Sequence, residues 1–221
     1  GTLTGMLENS GSLRGQGTTH LQADSMLNSG RLLADNLTLE ARRLDNRGLL
    51  QGNSALSARG DETEQSADGR ALTGGTLTLT GGQLTTDGRL QGQQVILSAD
   101  DWQHKGSLVG GGSLLATVAN QLVNDGELMN TGDMQLNAGT LDNRGSVLSS
   151  SDITLGGNHL KNSGSVQGLT LALTQGQVNN SGKLIGIDAL TVGAPAVAGR
   201  IALMAMAKPS RRRPGRRRPR R

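Results

Sequence analysis

The chain has 221 residues, with 34 glycines, one tryptophan and no phenylalanine, tyrosine or cysteine. The missing cysteine excludes a disulfide scaffold, a thiolate zinc site and a cysteine nucleophile. Nine of the 22 Lys and Arg residues lie between Lys208 and Arg221, so residues 1–207 hold 13 cations against all 18 carboxylates. An argument from positive charge to nucleic acid therefore concerns the C-terminal tail alone. No apolar run approaches the roughly 18 residues of a transmembrane helix.

From the first residues onward, one glycine recurs with a period that averages 19 residues over ten units. Aliphatic residues stand four before and two after this glycine, as Leu141 and Val147 do around Gly145. A second apolar pair has a spacing of two, as in Met134 and Leu136, and such alternation is typical of strands rather than helices. We therefore predict an all-β solenoid of about ten coils, in which equivalent residues stack at about 4.8 Å.

Asparagine stands two residues before the glycine in seven of the ten units. We predict that these side chains stack into an amide ladder, and that the glycines form the corners by accepting positive φ. The predicted ladder consists of Asn9, Asn28, Asn46, Asn124, Asn143, Asn162 and Asn180. The predicted corner glycines are Gly11, Gly30, Gly48, Gly88, Gly106, Gly126, Gly145, Gly164 and Gly182.

The fourth unit is irregular, because its glycine, Gly69, follows the preceding one by 21 residues. Alignment on Gly69 places Gln65 in the leucine column, beside several acidic residues. From these irregularities we predict a loop over residues 58–71. We expect this loop to be solvated rather than to bind an ion, since no calcium-binding pattern is present. In a later unit Trp102 occupies the leucine column, where we expect a packing variant or a partly exposed edge rather than a ligand platform.

Several units carry a family likeness. The stretches LDNRGLLQGNSALSA, LDNRGSVLSSSDITL and LKNSGSVQGLTLALT resemble the haemagglutinin repeats of the filamentous haemagglutinin family. That family comprises two-partner secretion exoproteins of Gram-negative bacteria, including adhesins and contact-dependent growth-inhibition exoproteins. The likeness covers roughly residues 3–192, within a predicted repeat domain of residues 1–193.

The resemblance implies a right-handed parallel β-helix that forms part of a long, extracellular or surface-exposed fibre. It also implies export through an outer-membrane partner transporter. The signal and the secretion domain that such a transporter reads are not recognisable in this sequence, nor is a toxin or receptor-binding domain.

Catalytic chemistry has no recognisable motif here. His20, His104 and His159 fall in different columns and in different coils, so they are not expected to converge on a metal. No zinc-protease, nucleophile-elbow or phosphate-loop pattern is present. We therefore predict no enzyme activity, and no catalytic, cofactor-binding or metal site.

Residues 194–221 change abruptly to Ala and Met and then to Arg and Pro. We predict that this non-repeat tail is disordered. One interpretation is an anion-binding arm made by Arg211, Arg212, Arg213, Arg216, Arg217 and Arg218. The favoured interpretation is an out-of-frame translation of GC-rich DNA.

Together these observations predict a non-enzymatic shaft segment of an adhesin-like exoprotein that projects a distal binding or toxin module. The alternative is a nucleic-acid- or anionic-membrane-binding protein that acts through the arginine tail. The favoured hypothesis expects a receptor on a host cell or a neighbouring bacterium, and no nucleic acid. It also expects self-association through uncapped coil faces.

Overall fold

A computed structural model describes residues 3–193 and, as backbone, residues 196–199. The described residues form eighteen strands and no helix, so none of them forms a helix able to cross a membrane. The strands are β1 (Met6–Asn9), β2 (Ser12–Arg14), β3 (Thr18–Asn28), β4 (Arg31–Asn46), β5 (Leu49–Gln65), β6 (Arg70–Thr73), β7 (Thr76–Thr86), β8 (Arg89–Gly92), β9 (Gln94–His104), β10 (Ser107–Gly110), β11 (Leu114–Asn124), β12 (Glu127–Asn130), β13 (Met134–Asn143), β14 (Ser146–Ser149), β15 (Ile153–Asn162), β16 (Ser165–Asn180), β17 (Lys183–Val192) and β18 (Ala196–Gly199).

Every strand pairs in parallel with strands of the neighbouring coils. Leu128 of β12, for example, pairs with Leu108 of β10 on one side and with Val147 of β14 on the other. These partners are separated by about one sequence repeat, so one repeat makes one coil. The prediction of an all-β parallel solenoid of about ten coils is confirmed.

The interior consists of stacked aliphatic columns. Leu122, Leu141 and Leu160 follow one another in register, and none of them has any exposed surface. Burying a leucine side chain contributes about 2 kcal/mol. Because each coil repeats the same buried positions, stability accumulates from contacts between neighbouring coils.

The prediction of a loop over residues 58–71 is wrong. β5 continues to Gln65 and β6 begins at Arg70, so only a short turn separates them. Three acidic residues of this stretch, Asp61, Glu62 and Glu64, are exposed on β5, where Glu62 is 3.7 Å from Arg43, and the fourth, Asp68, is exposed in the turn. The extra length is absorbed in the turn, where the Gly69 amide donates to the Ser66 carbonyl at 2.8 Å.

The register of the fourth coil also differs from the alignment on glycine. Thr63, not Gln65, pairs with Leu44 in the leucine column. Gln65 pairs instead with Asn46, in the asparagine column. The insertion lies after these residues, so counting back from Gly69 displaces both columns by two positions.

The last described strand lies in the segment predicted to be non-repetitive. β18 pairs with residues 177–180 of β16, so parallel pairing continues past the predicted boundary at residue 193. Residues 200–221, and with them the predicted anion-binding arginines, lie outside the described residues.

Candidate functional site

A column of buried amides runs along one corner of the solenoid. Asn124 Nδ2 donates to Asn143 Oδ1 at 2.7 Å, and Asn143 Nδ2 donates in turn to Asn162 Oδ1 at 2.7 Å. Among the described residues there are six such side-chain bonds, which join Asn9 to Asn28, Asn28 to Asn46, Asn46 to Gln65, Asn124 to Asn143, Asn143 to Asn162, and Asn162 to Asn180. The structure thus brings all seven predicted asparagines into this column, in two separate groups.

Each of the seven asparagine amides also bonds to the backbone at its corner. Asn143 Nδ2, for example, donates to the carbonyl oxygen of Ser165 in the next coil at 3.3 Å. Asn143 is completely buried, so its bonds form away from water. Hydrogen bonds are stronger in a low dielectric, and an unpaired amide there is costly.

Apart from Gly11, the corner glycines are required for space rather than for backbone conformation. In the described residues positive φ occurs only at Gly17 and Gly157, so the predicted reason for these glycines is wrong. A Cβ at Gly145 would instead overlap the carbonyl oxygen of Gly126, one coil away. The same overlap with the preceding corner glycine recurs at Gly30, Gly48, Gly106, Gly126, Gly164 and Gly182.

The amide column is interrupted in the middle of the solenoid. Thr86 and His104 occupy the column between Gln65 and Asn124. Both are completely buried. Their place in the column is visible in the sequence, two residues before Gly88 and Gly106, but their bonding pattern is not.

Trp102 takes part in this interruption. Its indole Nε1 donates to Thr86 Oγ1 at 2.8 Å, and Thr86 Oγ1 lies 2.7 Å from His104 Nδ1. Trp102 is only 1% exposed, so it is a core residue and not a partly exposed edge. Its ring centroid lies 5.5 Å from that of His104.

The hydrogen bonds around His104 define its tautomer. Nε2 lies 3.1 Å from the carbonyl oxygen of Glu127, which can only accept, so Nε2 carries a proton. Nδ1 then accepts from the Thr86 hydroxyl, whose oxygen in turn accepts from Trp102. Burial lowers the pKa of His104, and the backbone of Glu127 and Thr86 and the charge of Asp87 oppose this to a smaller extent.

The other titratable groups do not converge. His20 lies 3.6 Å from Glu40 on the surface, and His159 is exposed on β15. Hydrogen bonds from the side chains of Gln83, at 2.9 Å, and Asn120 lower the pKa of Asp101. Within the part of the chain that the structure describes, no group of three or more His, Cys, Asp or Glu residues could hold a metal ion.

We expect Asn143→Ala to destabilise the solenoid by about 2–3 kcal/mol, because it leaves Asn124 Nδ2 and Asn162 Oδ1 without their partners. Urea unfolding measures the loss. Asn179→Ala is the control, since Asn179 is exposed and adjacent to the ladder, and its loss should cost less than about 0.5 kcal/mol. Equal losses in the two variants would show that the ladder contributes nothing specific.

The stacked coils, the amide column and the close-packed corners define a parallel β-solenoid repeat protein. Over most of its length the chain is homologous to CdiA contact-dependent growth-inhibition exoproteins, a two-partner secretion family. It is 50% identical over 184 residues, 83% of its length, to the 16S rRNA endonuclease CdiA of Enterobacter cloacae. It is 44% identical over 90% of its length to the tRNA nuclease CdiA of Escherichia coli, and 43% identical over 73% of its length to the deoxyribonuclease CdiA of Dickeya dadantii.

The chain spans only about 6% of the length of the first two relatives and about 5% of the third. No family model and no solved structure matches it.

The relatives overturn the functional prediction. Their names describe nucleases, so the prediction of a non-enzymatic shaft segment and the prediction of no enzyme activity are wrong. The expectation of no nucleic acid partner is not borne out either. The shaft prediction rested on the repeats and their family likeness. The prediction of no enzyme activity rested on motifs missing from 221 residues, which correspond to about 6% of the length of the first two relatives. The relatives' names mention neither adhesion nor haemagglutination, so an adhesive role of the complete protein stays a prediction.

Proposed function

We propose that this chain is part of a contact-dependent growth-inhibition toxin whose complete form cleaves nucleic acid. The observation that carries the proposal is the 50% identity over 83% of the chain to a protein named as a 16S rRNA endonuclease. Relatives named as acting on tRNA and on DNA match the same repeats. The repeats therefore accompany several nucleic acid substrates, and the proposal names the substrate class rather than one molecule.

The family's secretion route extends the proposal. The complete protein would leave a Gram-negative cell through an outer-membrane partner transporter and meet a receptor on a target cell. The missing cysteine suits this route, because no disulfide would lock the chain before it is threaded across the membrane. We assign a right-handed winding to the coils, since parallel strands joined by crossovers are almost always connected in that hand.

A competition experiment tests the nuclease proposal. Cells producing the complete protein that contains this chain are mixed with a susceptible strain, and tRNA, 16S rRNA and genomic DNA of the susceptible cells are then analysed on gels. We expect one of these to be cleaved. Producers without the partner transporter are the control, and should leave all three intact. Inhibited target cells with intact nucleic acids would overturn the proposal.

A second candidate function is nucleic acid binding by residues 208–221. Nine cations without a carboxylate among them favour it, since each phosphate contact releases counterions. The body of the chain is acidic, so binding would depend on this tail.

We expect the full chain to bind a labelled DNA duplex with an affinity that falls roughly a thousandfold or more between 50 and 200 mM salt. Fluorescence anisotropy measures this. Replacing the eight tail arginines by glutamine should abolish binding, whereas replacing them by lysine, which keeps the charge, should preserve most of it. Unchanged binding by the glutamine variant would contradict a role for the tail.

A further inference from the structure

The amide column consists of two hydrogen-bonded blocks. The first runs from Asn9 to Gln65, and the second from Asn124 to Asn180. At the interruption, the last amide of the first block and the first amide of the second block each lack a ladder bond on one side. Gln65 Nε2 is buried and has no hydrogen-bond partner. Asn124 Oδ1, which receives no amide from the preceding coil, accepts the backbone amide of Gly126 at 3.2 Å.

Only a short chain of polar groups fills the gap. It runs in one direction, from the Trp102 indole N–H to the Thr86 hydroxyl and from there to His104 Nδ1. The imidazole completes it by donating from Nε2 to the Glu127 carbonyl in the next coil. This set of three hydrogen bonds, from Trp102 to Thr86, from Thr86 to His104 and from His104 to Glu127, requires that Nδ1 carries no proton.

Protonation of Nδ1 would reverse one of these bonds. His104 would then donate to Thr86 Oγ1, which already accepts from Trp102. The Thr86 hydroxyl hydrogen would lose Nδ1 as its acceptor in a region without exposed surface. The Thr86 backbone favours the charged ring, but the effect of burial is larger. Such a buried unpaired donor is costly, as is a buried positive charge.

We propose that Thr86, Trp102 and His104 form an acid-labile joint, at which protonation of His104 lets the two blocks of the solenoid open locally. This inference does not depend on the proposed function. The joint is a property of three stacked coils, and the coils of the two uninterrupted blocks carry no such titratable group in the column.

The charged groups around the joint do not neutralise an imidazolium. Asp87, at the preceding corner, is 4.0 Å from Lys105, and Asp125, at the following corner, is 3.6 Å from Arg144. Glu127 presents its carbonyl to His104 while its side chain is exposed. Asp87 is therefore the one carboxylate that favours the charged ring, and burial outweighs it.

The direction of the pH effect follows from the folded and unfolded states. The unfolded histidine has its ordinary pKa of about 6.5, and burial lowers the pKa in the folded chain. At a pH between these two pKa values, the unfolded chain binds more protons than the folded chain. The joint is therefore stable at neutral pH, and its stability falls as the pH drops below about 6.5.

Hydrogen exchange of the full chain tests the joint. We expect the protection factors of amides in β7, β9 and β11 to fall by roughly fivefold or more between pH 7.5 and pH 5, while those of β13 and β15 change little. The variant His104→Asn, which can extend the ladder toward Asn124, should remove this local loss. His20→Asn and His159→Asn are matched controls and should keep it.

A second measurement uses the unaltered chain, in case His104→Asn does not fold. Nitrogen NMR of the imidazoles should show His104 protonated at Nε2 alone at neutral pH. A proton at Nδ1 would overturn the proposal. So would protection factors that fall equally in all coils, or a His104→Asn variant that keeps the local loss.

Discussion

Leu141→Asp should destabilise the solenoid by about 5 kcal/mol or more, because it places a carboxylate where no water reaches. Leu141 has no exposed surface, and the residues stacked on it in register are Leu122 and Leu160. Neither neighbour offers a hydrogen bond or a positive charge. The carboxylate must therefore either take up a proton or force its coil apart.

Thermal unfolding followed by circular dichroism measures this loss, and hydrogen exchange locates it. The damage should be greatest in β11, β13 and β15, since each coil contacts chiefly its neighbours. Leu115→Asp is the control. Leu115 is 39% exposed on the outer face of β11, so the same substitution should cost less than about 1 kcal/mol there. Native stability of Leu141→Asp would be incompatible with this core.

Gly145→Ala should cost about 2–4 kcal/mol, although it adds a single methyl group. The methyl would overlap the carbonyl oxygen of Gly126. That oxygen also accepts the backbone amide of Ser146 at 2.9 Å, so it cannot retreat without breaking a bond between coils. Urea unfolding of the full chain measures the effect.

Gly11→Ala supplies a control at the same position of the repeat. A Cβ on Gly11 would meet nothing within 4 Å. We expect its cost to stay below about 0.5 kcal/mol. If both substitutions cost the same, backbone conformation rather than contact between coils would explain the glycine at the corner.

The columns of the fold could be predicted because the same physical demand recurs in every coil. Leu122, Leu141 and Leu160 each fill the same interior position, and repetition makes that demand visible in one sequence. The fourth coil was misread for the opposite reason. Its insertion lies in a turn, where strand pairing does not fix the number of residues. Counting back from Gly69 therefore placed Gln65 in the leucine column, where the structure has Thr63.

The joint at His104 shows where a sequence pattern stops being informative. The sequence places Thr86 and His104 in the asparagine column, and Trp102 in the leucine column. It does not reveal that the indole reaches Thr86, since that contact spans two columns and two coils. Function was less predictable still, because nuclease chemistry need not lie in the small part of such proteins that this chain represents.

The amide ladder gives the rod a polarity. In all six side-chain bonds the amide of the earlier coil donates to the oxygen of the later one. Within a block, every side-chain oxygen that takes part accepts from the coil before it, and every amide that takes part donates to the coil after it. Two copies that stacked coil on coil would have to join head to tail to continue this pattern. Such a contact does not close on itself, and it would build an open filament rather than a symmetric dimer.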